Sequence, residues 1–257
     1  MTHEKTPILY SVDGSIVRLT LNRPEKKNAL NASLVDGLKQ GLNKADNDKA
    51  IRAIVIDGAG ADFCSGADLS ALQKISEASV VENFEDARSL MELFTTIRRV
   101  RMPVIAAVRG RALAGGCGLA SACDLVLATK TARFGYPEVK IGFVPAMVMA
   151  ILRRNVTEKR AFELITSGTE ITADEANQIG LVNQVFSDEL FESKVESYAH
   201  VFLGVSQSAV ALTKQLLYRM DGLSFAEALG AGADVNVIVR LTEDCQAGVA
   251  KFLQKPQ

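Results

Sequence analysis

Between Pro103 and Pro145 the chain reads PVIAAVRGRALAGGCGLASACDLVLATKTARFGYPEVKIGFVP, and no other stretch limits the fold as strongly. A β-branched apolar run at 104–108 ends in Arg109-Gly110. The small-residue cluster Ala114-Gly115-Gly116-Cys117-Gly118 then leads into a short helix-like segment at 119–122, and a second apolar run follows at 125–128. Strand, glycine turn and helix start together form a geometry that aims backbone N–H groups at developing negative charge. Taken alone, Gly115-Gly116 would equally suit tight packing. Farther on, Tyr136-Pro137-Glu138 sets one carboxylate among apolar neighbours, where it could move protons within reach of such donors.

The rest of the composition narrows the chemistry. Two histidines in 257 residues, one near the start and one in a helical pattern, make a Ser-His-Asp triad or a His-rich metal site hard to build. Proton transfer must fall on a carboxylate, Tyr or Lys, and no metal is expected. A formal net charge of −1 gives no broad attraction to nucleic acid or to a membrane surface. No apolar run approaches the roughly 18 residues that span a bilayer, and the first ten residues carry no export or transit pattern, so a cytoplasmic location is expected. The four cysteines lack CxxC spacing and are expected as thiols.

Periodicity divides the chain. Residues 8–12 and 16–21 alternate about Asp13-Gly14, a hairpin signal. Residues 28–47 carry Leu30, Leu34, Leu38 and Leu42 at helical spacing, with Asn31 or Ser33 as cap. Residues 51–57 read as a buried strand, 58–68 as a Gly- and Ala-rich loop, and 80–101 as a helix with Leu90, Leu93, Phe94 and Ile97 on one face. Strand and helix thus alternate through the first half, as in crossover units of a largely parallel sheet. After Pro145 strand signals nearly stop. Helices are predicted at 147–154, 158–167, 173–179, 188–201, 206–219, 224–240 and 244–253, with Thr172 and Ser224 as N-caps.

Six motifs in order, LTLNRP (19–24), NALN (28–31), FCSGADL (63–69), AGGC (114–117), FGYPE (134–138) and ANQIGLVN (176–183), resemble those of the enoyl-CoA hydratase/isomerase (crotonase) superfamily over nearly the whole length. The resemblance implies an α/β fold of the crotonase-like (ClpP/crotonase) type, a spiral of ββα units with a helical C-terminal region. It also implies one domain over 1–257, with the core at 1–190 and a trimerisation region at 191–257. Two backbone N–H groups, those of Cys64 and Gly115, would polarise a thioester carbonyl and hold its enolate. Glu138 matches the family's second catalytic glutamate. CoA contacts would come from Lys27 and Ala29, from Ser65, Gly66, Ala67, Asp68 and Leu69, and from Gly116. Lys255 matches a basic position that can approach CoA phosphates. The partners implied are an acyl-CoA substrate and further copies of the chain in a homotrimer or homohexamer, with no cofactor beyond the CoA of the substrate.

One departure matters. Many two-base hydratases carry another glutamate where this chain has Gly118, twenty residues before Glu138. A second lies at Val144-Pro-Ala-Met-Val-Met149, more apolar than the Gly-rich turn of many relatives, which implies a reshaped acyl pocket. The reading is hydration of a trans-2-enoyl-CoA, including branched or carboxylated ones such as methylglutaconyl-CoA, with Glu138 as sole acid/base. The alternatives are 3-enoyl to 2-enoyl-CoA isomerisation, which needs only one base, and a non-catalytic acyl-CoA- or RNA-binding member of the family.

Overall fold

The alternating residues around Asp13-Gly14 form the expected hairpin: β1 (Ile8–Asp13) and β2 (Ile16–Leu21) pair antiparallel, and Gly14 supplies a φ of +55° at the turn. In the computed structural model, which describes residues 6–68, 73 and 77–254, four parallel strands continue from β2. They are β3 (Ala53–Gly58), β4 (Val104–Val108), β6 (Leu125–Thr129) and β9 (Gln184–Phe186), in the spatial order β1-β2-β3-β4-β6-β9. A second sheet holds the three-residue strands β5 (Arg111–Leu113), β7 (Arg133–Gly135) and β8 (Glu170–Thr172), with β5 parallel to β7 and β8 antiparallel to it.

Strand side chains alternate between faces. One face of the large sheet offers Val17, Leu19, Leu21, Ile54, Ile56, Val104 and Ala106 to the main core, where α1 (Ala32–Asn47) and α2 (Val80–Arg99) cover them. On α1, Leu34, Leu38 and Leu42 are fully buried, each contributing roughly 2 kcal/mol by leaving water. The other face presents Ile16, Val55, Ile105 and Leu127 to Phe191, Val195 and Ala199 of α7 (Phe191–His200).

The helix expected over 28–47 starts later. Asn28 has φ +54° and Leu30 pairs with Ala67 in a parallel bridge, so both are committed elsewhere. Asn31 is the cap, its side chain accepting from the Leu34 N–H at 3.0 Å. Ser79, Thr172 and Ser224 each close a capping box, with Glu82, Glu175 and Glu227.

Beyond α3 (Gly115–Ala122), the helices α4 (Ala146–Asn155), α5 (Glu158–Ser167) and α6 (Ala173–Gln178) complete the main core. The last three helices are α8 (Gln207–Arg219), α9 (Phe225–Arg240) and α10 (Glu243–Leu253). Lys214 of α8 docks this region. Its buried ammonium donates to the Ile97 and Met102 carbonyls at 2.9 and 3.0 Å and to Asp124 at 2.6 Å, while Tyr218 donates to the same carboxylate at 2.7 Å. No helix among the described residues is long and apolar enough to cross a membrane.

Candidate active site

The small sheet assembles the site. Leu113 of β5 registers with Gly135 of the parallel strand β7, so both strands leave the sheet at the same end. Beyond Leu113 come Ala114 and Gly115, where α3 begins; beyond Gly135 come Tyr136, Pro137 and Glu138, in a single 3-10 turn over Pro137–Ile141. The Ala114 N–H donates to the Gly135 carbonyl at 2.8 Å and holds the two exits together. Ala114 pays in backbone strain, with φ +50° and no glycine's freedom. That twist starts α3 with the N–H groups of its first turn leading, and the Gly115 N–H has no protein acceptor among the described residues.

The third segment is the loop 63–68, which a second parallel bridge, Cys64 with Ala112, joins to β5. This bridge overturns one expectation. The Cys64 N–H donates to the Arg111 carbonyl at 3.0 Å, while its carbonyl accepts from Leu113 at 2.9 Å, so the Cys64 amide is spent on joining the segments and is no free donor. Its thiol, fully buried, is pushed up to about 12 by loss of water and is no nucleophile either. Farther along, the Gly66 carbonyl accepts from Leu30 at 2.7 Å and the Asp68 N–H donates to the Leu30 carbonyl at 3.0 Å. The intervening Ala67 N–H is left without an acceptor among the described residues, and Ala67 is exposed. Gly66, at φ +97°, brings it against the helix start: a β-carbon there would come within 2.7 Å of the Ala114 β-carbon. Parallel-bridge geometry leaves alternate amides facing away from the partner, and that alternation was the signal by which Ala67 could have been preferred to Cys64.

Of the expected CoA-binding residues, those at 27 and 29 and those at 65–68 lie on segments joined to one another. Lys27 and Asn28 both take left-handed backbone, at φ 51° and 54°. Asn28 is buried and secures this loop, accepting from the Arg23 N–H and donating to the Ala59 and Asp62 carbonyls. The Ser65 N–H donates to the Lys27 carbonyl at 3.0 Å. Arg23 joins the two loops, with 2.6 Å to the Ala29 carbonyl and 2.7 Å to the Asp68 carboxylate. Lys27 is exposed and Ala29 buried. Gly116 is pressed against the Cys64 carbonyl, 2.2 Å from where a β-carbon would stand, so its lack of a side chain serves the packing. Leu69 and Lys255 lie outside the described residues.

Glu138 is half-buried, and its Oε2 is a buried acceptor without a hydrogen-bond partner among the described residues. Loss of water raises its pKa above the ordinary carboxylate range, opposed in part by its own backbone N–H. The turn is closed behind it by the Gly142 and Phe143 N–H groups, and Gly142 supplies φ +75°. Glu138 lies close enough to α3 for its charge to add to the burial that pushes the Cys117 thiol up to about 11. Beneath the turn, Tyr136 is fully buried with its hydroxyl 3.0 Å from Ser121 Oγ, which donates to the Cys117 carbonyl.

The position of the absent second carboxylate is filled. A β-carbon on Gly118 would stand 2.1 Å from Val148 Cγ1 and 3.5 Å from Phe94 Cζ. Chemically, the site therefore pairs free backbone amides, suited to an oxyanion, with one carboxyl whose pKa burial raises, beside an apolar wall.

Such a combination defines an enzyme that polarises a carbonyl and moves a proton next to it. The enoyl-CoA hydratase/isomerase family model matches residues 11–257, and the chain belongs to that family. A Thermus thermophilus protein provisionally named an enoyl-CoA hydratase is 38% identical over 242 residues, covering 94% of this chain and 96% of the relative. The 2,3-dehydroadipyl-CoA hydratase of Escherichia coli is 34% identical over 249 residues, covering 96% of each. The crystal structure of an enoyl-CoA hydratase from Mycobacterium smegmatis superposes with a TM-score of 0.93 at 31% identity, covering 98% of this chain and 97% of the other. The fold is the crotonase-like α/β fold, and the protein is an enzyme of the hydratase/isomerase family.

Proposed function

We propose that this enzyme hydrates trans-2-enoyl-CoA thioesters with Glu138 as its one acid/base. The observation that carries this reading is the pairing of the free Gly115 amide with the solvent-depleted Glu138 carboxyl at the ends of two adjacent parallel strands. The thioester oxygen binds the Gly115 N–H and, in the role first given to Cys64, the Ala67 N–H. Glu138 takes a proton from water as the water oxygen bonds to C3, and electrons move onto the thioester oxygen. The enolate then collapses and Glu138 returns the same proton to C2, so the elements of one water add across the double bond. Losing one oxyanion donor in such a scheme typically costs about 3–4 kcal/mol of barrier.

CoA is assigned to the loops holding Lys27, Ala29 and Ser65–Asp68. Exposed Ile141, Phe143, Val144 and Met149 near the Glu138 turn favour a hydrocarbon acyl chain, straight or branched beyond C3, over a carboxylated one. Assembly into a homotrimer or homohexamer through 191–257 is supported by exposed Leu229 and Val237 on α9, Phe252 on α10 and Leu241 between them. The remaining assignments are one domain, a cytoplasmic location and no cofactor beyond substrate CoA.

A second reading, migration of a double bond between 3-enoyl and 2-enoyl-CoA, is favoured by Val148 standing where a second carboxylate would help hold water. Mass spectrometry after turnover in ¹⁸O-water separates the two. Oxygen incorporated into a 3-hydroxyacyl-CoA supports hydration; rapid isomerisation with no label incorporated overturns it.

A further inference from the structure

Position 118 lies three residues along α3 from Gly115, and residues so spaced share one side of a helix. On the enoyl-CoA reading, with the thioester oxygen on the Gly115 amide, the C2–C3 bond is assigned to the side of α3 that carries Gly118. That side is closed by two residues from other elements. Val148, in the first turn of α4, places Cγ1 2.1 Å and Cβ 3.2 Å from the β-carbon that Gly118 lacks, and Phe94 of α2 places its ring 3.5 Å away. Val148 and Phe94 are 4% and 6% exposed, so no water layer lies between the valine and the helix. Gly118 is thus the socket into which the Val148 side chain fits, and the size of residue 148 sets how close the apolar wall stands to the acyl chain.

We infer that Val148 is a specificity-determining residue that limits the substituent tolerated on C3 of the acyl chain, by occupying the room that a side chain at position 118 would need. The inference rests on the enoyl-CoA reading and adds to it a chemical boundary: a hydrogen on C3 is accommodated, and a methyl branch there meets the valine. Shortening residue 148 admits the branch; lengthening it presses on the unbranched chain as well. A purely structural valine would alter stability and overall rate without altering preference between two substrates of equal charge and CoA moiety.

The test compares wild type with Val148→Ala and Val148→Ile on crotonyl-CoA and 3-methylcrotonyl-CoA, following loss of the enoyl-thioester absorbance. One methylene in an apolar pocket is worth roughly 10-fold or more in kcat/KM. Val148→Ala is expected to raise the ratio of 3-methylcrotonyl to crotonyl kcat/KM by about 10-fold, and Val148→Ile to lower it. Val148→Thr, equal in shape, is the control and should leave the ratio near the wild-type value; if Val148→Ala does not fold, Val148→Ile carries the test. An unchanged ratio in the folded Val148→Ala or Val148→Ile variant overturns the inference. If wild type turns over neither compound, the enoyl-CoA reading fails separately. The boundary is then read from calorimetric Kd values for butyryl-CoA and isovaleryl-CoA, where a 10-fold change of ratio in Val148→Ala supports the inference and a constant ratio overturns it.

Discussion

Arg23 Nη2 stands 2.7 Å from Asp68 Oδ2, with the carboxylate 6% and the guanidinium 18% exposed, and this pair fastens two loops 45 residues apart in sequence. The same guanidinium holds the Ala29 carbonyl. The loops presenting Lys27 and Ala67 are therefore joined by a charge pair as well as by backbone hydrogen bonds and the apolar packing of Leu30 and Phe63.

Breaking that pair should damage stability and affinity together. Removing one partner of a buried pair leaves the other charge uncompensated and costs about 3–5 kcal/mol. Asp68→Ala is expected to lie in the lower part of that range by urea unfolding, and to raise KM for acyl-CoA more than it lowers kcat. A double variant, Arg23→Met with Asp68→Leu, should be less costly than the sum of the two single changes. Strict additivity would show that the pair does not act as a unit.

Glu138→Gln preserves shape but cannot accept a proton, so kcat should fall by about 100-fold or more, with CoA affinity nearly unchanged. The same variant has a thermodynamic signature. Burial raises the folded-state pKa above the unfolded value, so the native state binds this proton more tightly and stability is lost as pH rises from the ordinary carboxylate range through the folded pKa. Glutamine removes that loss. The variant should melt above wild type at pH 7, and the difference should vanish as pH falls below the ordinary carboxylate range. Equal melting temperatures at both pH values would mean that the carboxyl is not held in a desolvated place.

Lys214→Met is expected to destabilise the protein by about 3 kcal/mol, because Asp124 then keeps, among the described residues, the Val104 N–H and the Tyr218 hydroxyl but no cation. Since α8 carries the docking residue for the last helices, loss of mass by light scattering should accompany the loss of stability if 191–257 forms the subunit interface. A destabilised variant of unchanged mass would separate helix docking from assembly.

Gly118→Ala should cost about 1–3 kcal/mol, since the new methyl enters the space of Val148 Cγ1. Backbone strain is not the cause: Gly118 is absent from the glycines of positive φ. Combining Gly118→Ala with Val148→Ala should recover most of the loss of the first change, measured as a double-mutant cycle. Additive losses would show that the two side chains do not share one space.

Much of this was legible in the sequence, because the long elements carry their own signals. The leucines at 34, 38 and 42 declared α1, and Thr172 and Ser224 declared the starts of α6 and α9. The strands β5, β7 and β8 were not legible: at three residues each they are too short for an alternation to register. Those strands nevertheless bring Gly115, the 63–68 loop and Glu138 to one place. Sequence order pointed to Gly115 and Glu138, but the choice between Cys64 and Ala67 depended on which amides the bridges consume. The occupant of the room beside Gly118 was equally hidden, since Val148 lies thirty residues away and meets it only through the packing of α4 on α3.

The fit of Val148 into Gly118 also has a historical meaning. A route from this site to one with two carboxylates, or back, cannot run through position 118 alone. A glutamate arriving first collides with the valine, and a smaller residue arriving first at 148 leaves a hole against a bare helix. Either order crosses a valley of lowered stability, so in this chain a second carboxylate at position 118 calls for a paired change at 148, a neighbour that never touches a proton.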